Sequence, residues 1–240
     1  MTRRQIVWTA GLLFALLAMS RPPATARDPA VVDLKHILAD FRGVHGLSMQ
    51  FICEKKLAVL KQPFVSGGTI AMMQPDRVRF TTNWPYRSCF ILRGDRVYMR
   101  TENNRRWHAG KASSQQVVRR VMRQFAGWSL GHAGDISRAY DVLESNGPVA
   151  VAPPPNKPRA RSAALWKEFP KQLRLFTLIP KSRTVHQALG SIRLGFLPGR
   201  HQLRLIIMHF GHGNESSYWM GRIRVNPQFS SDKFSPKGRP

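Results

Sequence analysis

The spacing of hydrophobic residues changes from a helical to a strand-like period early in the chain. Apolar residues recur every three or four positions from Val31 to Phe41, which predicts a short amphipathic helix ending before Gly43. From Leu47 to Glu54 apolar and polar residues alternate, which predicts a β-strand. Similar patterns predict further strands at about 68–73, 77–81, on both sides of Arg93-Gly94-Asp95, and at 140–144, 173–181, 191–197, 202–210 and 217–225. In that arrangement Gly94 occupies a tight hairpin turn, which we favour over an adhesion motif.

A second helix is predicted in the middle of the chain. Ser113 and Ser114 offer an N-cap, and Gly131 and Gly134 follow its end. One face of this helix is basic, and the other is apolar and comprises Val117, Val118, Val121, Met122, Phe125 and Trp128. A short turn or helix over 136–139 comes next.

The stretch from Asn146 to Pro170 follows neither period. It holds six prolines and the basic run Lys157-Pro158-Arg159-Ala160-Arg161. Proline removes backbone hydrogen-bond donors, so we expect no strand here but an exposed, mobile insertion. The remainder, residues 27–240, is expected to form one domain.

The first 26 residues have the composition of a secretory signal peptide. Basic MTRRQ precedes an apolar run from Ile6 to Met19, and Ala24-Thr25-Ala26 offers a small-residue cleavage site. The apolar run is shorter than the roughly 20 residues of a membrane-spanning helix. We therefore expect cleavage near Ala26 and export of the chain, with the general and twin-arginine routes both open because of Arg3-Arg4.

The formal net charge of +25 creates a large positive field. Anionic membrane surfaces, acidic proteins and nucleic acid could all respond to it, and export makes nucleic acid the weakest of the three. Cys53 and Cys89 are the only cysteines. In a plain meander their strands are three strand spacings apart, beyond the ~7 Å Cα limit for a disulfide, so two buried free thiols are favoured.

Motifs of catalysis are missing from the sequence. There is no G-x-S-x-G elbow, no glycine-rich phosphate loop and no H-E-x-x-H or cysteine-pair spacing. His209, His212 and Glu215 cluster near a hairpin with His201 on the preceding turn, but solvation of a turn explains them better than a metal site. We therefore predict a protein that is not an enzyme, with no cofactor and no metal.

Strand alternation divides the side chains into two sets. The basic set, expected on a wet face, comprises Arg79, Arg193, Arg222 and Arg224. The apolar set, expected on a buried face, includes Phe51, Val78, Phe80, Ile192, Leu194, Phe196, Trp219, Ile223 and Val225. Two interpretations stay open from the residues alone: an ordinary core packed on a helix, or a half-open barrel that accepts acyl chains under a helical lid.

An ordered set of short motifs covers most of the chain after the signal peptide: Phe51 with its following charges, Pro63 to Gly67, Pro75 to Phe80, Pro85, Gly94, Gly134-Asp135-Ile136-Ser137, Leu175 to Lys181, Asn226, Phe229 and Phe234-Ser235-Pro236-Lys237-Gly238. In this order the motifs resemble the LolA-like outer-membrane lipoprotein carriers. The resemblance implies an incomplete antiparallel β-barrel, or half-barrel, covered by a lid of α-helices. The chain departs from the family pattern at Gln74, where an arginine is common.

The resemblance also implies a function. It is that of a periplasmic carrier that binds the acyl chains of lipoproteins or other envelope lipids and shuttles them from inner to outer membrane. The implied partners are an ATP-driven inner-membrane release complex, an outer-membrane acceptor and, transiently, membranes; the carrier is expected to be a monomer. The candidate cargo-binding residues are Phe51, Val78, Phe80 and Phe90 on the barrel wall and Val118, Val121, Met122, Phe125 and Trp128 on the lid. The alternative is a lipid-sensing regulatory domain of the same fold that docks on a signalling protein.

Overall fold

The computed structural model describes residues 29–41, 43–104, 106–109, 126–130, 136–151 and 169–236. Within these ranges the helices are α1 Pro29–Ala39, α2 Ile136–Ala139 and α3 Arg183–Ala188, and residues 126–129 are also helical. The strands are β1 Gly46–Lys56, β2 Phe64–Met73, β3 Arg77–Trp84, β4 Ser88–Arg93, β5 Arg96–Thr101, β6 His108–Ala109, β7 Tyr140–Glu144, β8 Val149–Ala150, β9 Gln172–Pro180, β10 Leu189–Phe196, β11 Leu203–Phe210 and β12 Glu215–Val225. The predicted signal peptide, the predicted helix up to Phe125 and the middle of the proline-rich insertion lie outside the described residues.

The strands form one antiparallel sheet in the order β6-β5-β4-β3-β2-β1-β12-β11-β10-β9-β7, with β8 paired to β9 beside this path. β1 and β12, far apart in the chain, are central neighbours. Among the pairings of the described strands none joins β6 to β7, so the sheet is unclosed. The predicted fold class, an incomplete antiparallel barrel with helices, is confirmed.

Helix α1 covers one face of this sheet, which we call the inner face. Leu34, Ile37 and Leu38 of α1 are buried in a single apolar core with strand residues such as Phe51 and Leu194. The helix begins two residues earlier than the apolar period predicts. Pro29 fits the first turn of a helix, because its fixed φ is already helical and its missing N–H would have no intrahelical partner there.

A β-bulge in β12 reverses the face predicted for Trp219. Met49 pairs with Ile223 whereas Phe51 pairs with Met220, so β12 has one extra residue between the two pairs. Trp219 therefore packs on the outer face, in a second apolar cluster with Leu173 and Leu205. The prediction that placed Trp219 on the same face as Phe51 is wrong, because an inserted residue reverses the alternation of the residues beyond it.

The end of the same strand departs from prediction as well. Val225, assigned to the buried set, is exposed. It is the last residue of β12 and pairs with Leu47, so it lies at the end of the β1–β12 ladder.

The outer face is not uniformly wet, because the C-terminal segment 229–236 lies on it. The guanidinium of Arg79 is buried there, and its Nη1 donates to the backbone oxygen of Lys233 at 2.8 Å. Phe234 is also buried and packs edge-on against Phe229, with ring centroids 5.2 Å apart. The prediction of a wet position is thus wrong for Arg79, whereas Arg193 and Arg224 are exposed as predicted.

The flanks of the proline-rich insertion pack on the sheet, contrary to expectation. Val149 and Ala150 form β8 and pair with Leu173 and Gln172 of β9. Val151 and Phe169 cover the outer apolar cluster that contains Trp219. The flanks lack the run of prolines at 153–155, so Val149–Val151 keep the β-branched side chains and backbone donors that a strand needs.

The two cysteines are free and buried, as predicted. Cys53 lies in the inner core, whereas Cys89 is 3.6 Å from the hydroxyl of Thr81 on the neighbouring strand. β2 and β3 separate their strands in the sheet, so a disulfide would require the sheet to be dismantled.

Candidate functional site

The predicted wall residues are neighbours on the inner face. Phe80 of β3 pairs with Ile70 of β2 on one side and with Phe90 of β4 on the other. Phe51, Val78, Phe80 and Phe90 all belong to the inner core or pack against it. The structure therefore brings together the four residues that the sequence assigned to the barrel wall.

Three aromatic rings meet at the middle of this wall. The ring centroids of Phe51 and Phe80 are 4.4 Å apart, and Tyr218 of β12 lies 6.0 Å from Phe51 and 6.1 Å from Phe80. Gly68 faces Phe51 across the β1–β2 pair, and a Cβ there would lie 1.8 Å from the backbone oxygen of Thr81. No side chain fits at Gly68, because the backbone of β3 lies directly against its α-carbon.

Only one of the predicted lid residues can be located. Trp128 is buried, and its ring packs edge-on against Tyr140 of β7 with centroids 6.0 Å apart. Val118, Val121, Met122 and Phe125 lie outside the described residues. Their contact with the inner face remains a prediction.

The two ends of the inner face differ in how well they are covered. We call one end the loop end; the β1–β2, β3–β4 and β11–β12 connections lie there. We call the opposite end, where α1 meets the β10–β11 turn, the α1 end. Toward the α1 end, inner side chains are fully buried, among them Met72, Val78, Leu92, Val97 and Phe196. From the middle to the loop end several are only half-buried, namely Phe80, Phe90, Met208, Phe210 and Tyr218.

Sequence reasoning missed three of these half-buried residues. Met208 and Phe210 alternate with polar or outward residues at the end of β11, so the pattern itself could have identified them. The pattern could not identify Tyr218, because the bulge in β12 changes which residues of that strand point to the inner face.

A polar contact lies among these apolar groups. The thiol of Cys53 is hydrogen-bonded to Tyr218 and Ser66, and burial raises the pKa of the thiol to about 11. Burial also raises the pKa of the Tyr218 phenol, which is hydrogen-bonded to the thiol. Both groups are neutral at physiological pH, so this part of the inner face has no formal charge.

Helix α1 is attached to the sheet by side-chain contacts of Asp33, within the helix, and of Asp40, just after it. Arg174 of β9 donates to Asp33 of α1 and to Glu144 of β7, and the hydrogen bond with Glu144 is the main cause of the raised pKa of Arg174. After the helix, Asp40 pairs with His201 in the β10–β11 turn. These contacts attach α1 to the β7–β11 half of the sheet.

A carboxylate pair lies at the loop end of β1 and β12. Lys56 Nζ is 3.0 Å from Glu215 and 3.8 Å from Glu54, and His209 Nδ1 is 3.3 Å from Glu215. Burial raises the pKa of Glu54; it acts in the same direction on Glu215, but the hydrogen bond and charge of Lys56 outweigh it and lower the pKa of Glu215. Across the ranges that the structure describes, no three His, Cys, Asp or Glu side chains are grouped as metal ligands.

No family model and no curated protein matches this chain, but solved structures do. A DUF1329 family protein from Desulfovibrio piger is 10% identical over 87% of this chain and 98% of its own, with a TM-score of 0.45. A LolA superfamily protein from Nitrosomonas europaea is 7% identical over 87% and 98%, with a TM-score of 0.41. MucB in its complex with MucA from Pseudomonas aeruginosa is 10% identical over 85% of this chain and 60% of that one, with a TM-score of 0.43.

The fold is similar to that of LolA superfamily proteins. This is the family that the sequence resembles. At these identities and TM-scores the likeness describes the fold alone, and it brings no cargo, partner or compartment to this chain. Within the described residues no helix is long and apolar enough to cross a membrane.

Proposed function

We propose that this chain is an exported carrier that holds acyl chains against its inner face. The observation that supports the proposal is the half-buried aromatic and aliphatic surface from the middle of the sheet to the loop end, formed by Phe80, Phe90, Met208, Phe210 and Tyr218. An unclosed sheet lets such a surface remain open to a ligand, whereas an ordinary core would be filled by the protein's own side chains.

Acyl chains suit this surface because it is uncharged. Its polar groups, the Cys53 thiol and the Tyr218 hydroxyl, are hydrogen-bonded to each other. Burying an acyl chain of ~16 carbons is worth on the order of 12 kcal/mol before binding entropy is subtracted, at about 0.8 kcal/mol per CH₂. Cargo can therefore be retained without a polar anchor.

Release requires part of the cover to move. We propose that the segment containing Val118, Val121, Met122, Phe125 and Trp128 lies over the cargo as a lid, with Trp128 anchored on Tyr140. α1 would stay in place during this movement, because Arg174 and His201 attach it to the sheet.

The compartment and partners follow from the sequence resemblance. We propose that cleavage near Ala26 delivers a single domain of residues 27–240 to the periplasm. There it would receive lipoprotein or lipid cargo from an ATP-driven inner-membrane complex and pass it to an outer-membrane acceptor. N-terminal sequencing of protein from the envelope fraction tests cleavage and export. A chain that keeps Met1 and stays in the cytosol would contradict both.

A transfer assay tests the activity. Purified protein is added between donor vesicles with a fluorescent acylated lipopeptide and acceptor vesicles without it. We expect transfer to accelerate in proportion to protein concentration, the Phe80→Asn variant to be slower, and Leu143→Asn, which changes an exposed apolar residue of β7, to match the wild type.

Two results would contradict the proposed carrier function. A protein that binds the lipopeptide without accelerating its transfer would be a lipid sensor. If the protein does not bind the lipopeptide at all, the inner face is an ordinary core.

A further inference from the structure

Five connections between strands lie at the loop end of the sheet. They are residues 57–63 between β1 and β2, 85–87 between β3 and β4, 102–107 between β5 and β6, 181–188 with α3 between β9 and β10, and 211–214 between β11 and β12. Successive antiparallel strands place alternate connections at the same end. The half-buried part of the inner face, with Phe80 and Phe90, is nearest to these connections.

Apolar side chains project from these connections into solvent. Val59 is 88% exposed and its neighbour Leu60 is 47% exposed, while Tyr86 in the β3–β4 connection is 70% exposed. Phe64, at the start of β2, stacks on Tyr86 with ring centroids 6.5 Å apart and so links the two connections. Other exposed apolar residues, such as Leu143, stand singly on strands or on α1.

The exposed tip is held in position by hydrogen bonds. The Leu60 N–H donates to the backbone oxygen of Leu57 at 2.9 Å, which closes a turn. The Ala58 N–H donates to the side-chain oxygen of Asn214 at 2.9 Å, which ties the tip to the β11–β12 connection. Folding thus keeps Val59 and Leu60 in water although burying them would be favourable, and such a surface marks an interaction site.

Positive charge surrounds the tip. Lys61, Arg87 and Arg106 are exposed, and in the described part of the chain none of their side chains pairs with a carboxylate. The nearby acidic residues are already engaged, since Glu215 pairs with Lys56 and Glu102 accepts a hydrogen bond from the Arg87 N–H. A rigid apolar tip within a basic rim is complementary to an anionic bilayer, whose phosphates attract the cations while its acyl region accepts the tip.

We propose that the loop end docks on the surface of an anionic phospholipid bilayer. Val59 and Leu60 enter the boundary between headgroups and acyl chains, Tyr86 lies at headgroup level, and Lys61, Arg87 and Arg106 contact lipid phosphates. The half-buried inner face then opens near the membrane from which cargo would enter. The purpose of this docking rests on the proposed carrier function, but the docking itself is measured without cargo.

Co-sedimentation with vesicles tests the proposal on the purified exported chain. One set of vesicles mixes phosphatidylglycerol with phosphatidylcholine, and the other is phosphatidylcholine alone. We expect binding to the anionic vesicles that weakens with added salt and is much lower on the neutral ones. The double variant Val59→Asn with Leu60→Asn should bind at least ~10-fold more weakly, because two side chains lose their transfer into lipid.

Matched variants at other places provide the controls. Leu143→Asn with Val225→Asn changes two residues of 56% and 52% exposure away from the tip and should bind like the wild type. Lys61→Gln, Arg87→Gln and Arg106→Gln should each weaken binding about fivefold. Arg93→Gln, Arg96→Gln and Arg200→Gln, at exposed arginines of the α1 end, should change it less. Thermal melts confirm that each variant folds.

The proposal is overturned if the tip variant binds as well as the wild type, or if both apolar double variants lose binding equally. It is also overturned if the wild type binds neither kind of vesicle. Displacement of a fluorescent fatty acid in solution separates the two claims. A wild type that binds the fatty acid but not the anionic vesicles contradicts this inference alone, and a wild type that binds the vesicles but not the fatty acid contradicts only the proposed function.

Discussion

The α1 end and the loop end of the inner face carry the same kinds of side chain but bury them to different depths. At the α1 end Phe196 and Phe176 lie edge-on 6.0 Å apart and are fully buried in the core that α1 covers, and Arg174 and His201 contact side chains of α1 and of the residue after it. At the loop end Phe80 and Phe90 stay half-buried although they pair on adjacent strands. Apolar alternation creates both surfaces, but the side chains of the α1 end are fully buried whereas several of those at the loop end are only half-buried.

The largest effect is expected from a polar substitution at the α1 end. Phe196→Asn leaves a void and buries an unsatisfied amide, so the free energy of unfolding should fall by about 3 to 5 kcal/mol. Denaturant unfolding measures it, with Leu143→Asn as a surface control that should change by less than ~0.5 kcal/mol. A loss at Phe196 no larger than that of the control would remove the distinction between the two ends.

A smaller effect is expected when α1 is released. Arg174→Met keeps an apolar stem against Phe176 but removes the contacts with Asp33 and Glu144. Because the site is partly exposed, stability should fall by only about 1 kcal/mol, while the amides of α1 exchange faster with solvent. Unchanged exchange in α1, measured by hydrogen–deuterium mass spectrometry, would show that apolar packing alone fixes the helix.

The smallest effect concerns the carboxylate pair of Glu54 and Glu215. The pKa of Glu54 is raised above its ordinary value of 4.5, so ionising it destabilises the fold, and this penalty appears as pH rises above 4.5. The pKa of Glu215 is lowered, so its contribution is present above 4.5 and is lost as pH falls below that value. Glu54→Gln should therefore gain stability relative to wild type as pH rises from 4.5 to 7.

Urea unfolding at several pH values checks this. Lys56→Gln serves as the control, because losing the shared cation should instead reduce the contribution of Glu215 above pH 4.5. A Glu54→Gln variant that tracks the wild type at every pH would mean that the carboxylate is hydrated in the folded state.

Local patterns predicted much of the fold. The alternation around Phe51 and Phe80 located their strands and their common face, and Gly94 indicated a turn in which its φ is indeed +56°. Pairing of β1 with β12 joins the two ends of the chain, and no local pattern contains that information. The bulge that turned Trp219 outward and the tail that buried Arg79 are likewise tertiary features, invisible to a period of two.

Local alternation likewise predicted part of the candidate site, but not the part that depends on tertiary structure. Phe80 and Phe90 follow from alternation, whereas Tyr218 lies beyond the bulge and Val59 stands in a loop where no period applies. The full burial of Phe196 and the partial exposure of Phe80 depend on tertiary packing, and α1, which packs on the inner face, is also in contact with Arg174, as the residue after it is with His201. These contacts join residues more than a hundred positions apart.

The central claim is that the loop end binds acyl chains and the α1 end does not. The direct measurement compares Phe80→Asn, Phe90→Asn and Leu143→Asn by thermal melting and by displacement of a fluorescent fatty acid. At a half-buried position the new amide reaches water, so both Phe variants should stay folded with Tm values near that of Leu143→Asn, yet bind the probe at least ~10-fold more weakly. Phe125→Asn on the predicted lid should behave like them. If folding is lost in step with binding at both Phe80 and Phe90, the loop end is an ordinary core and the account is contradicted.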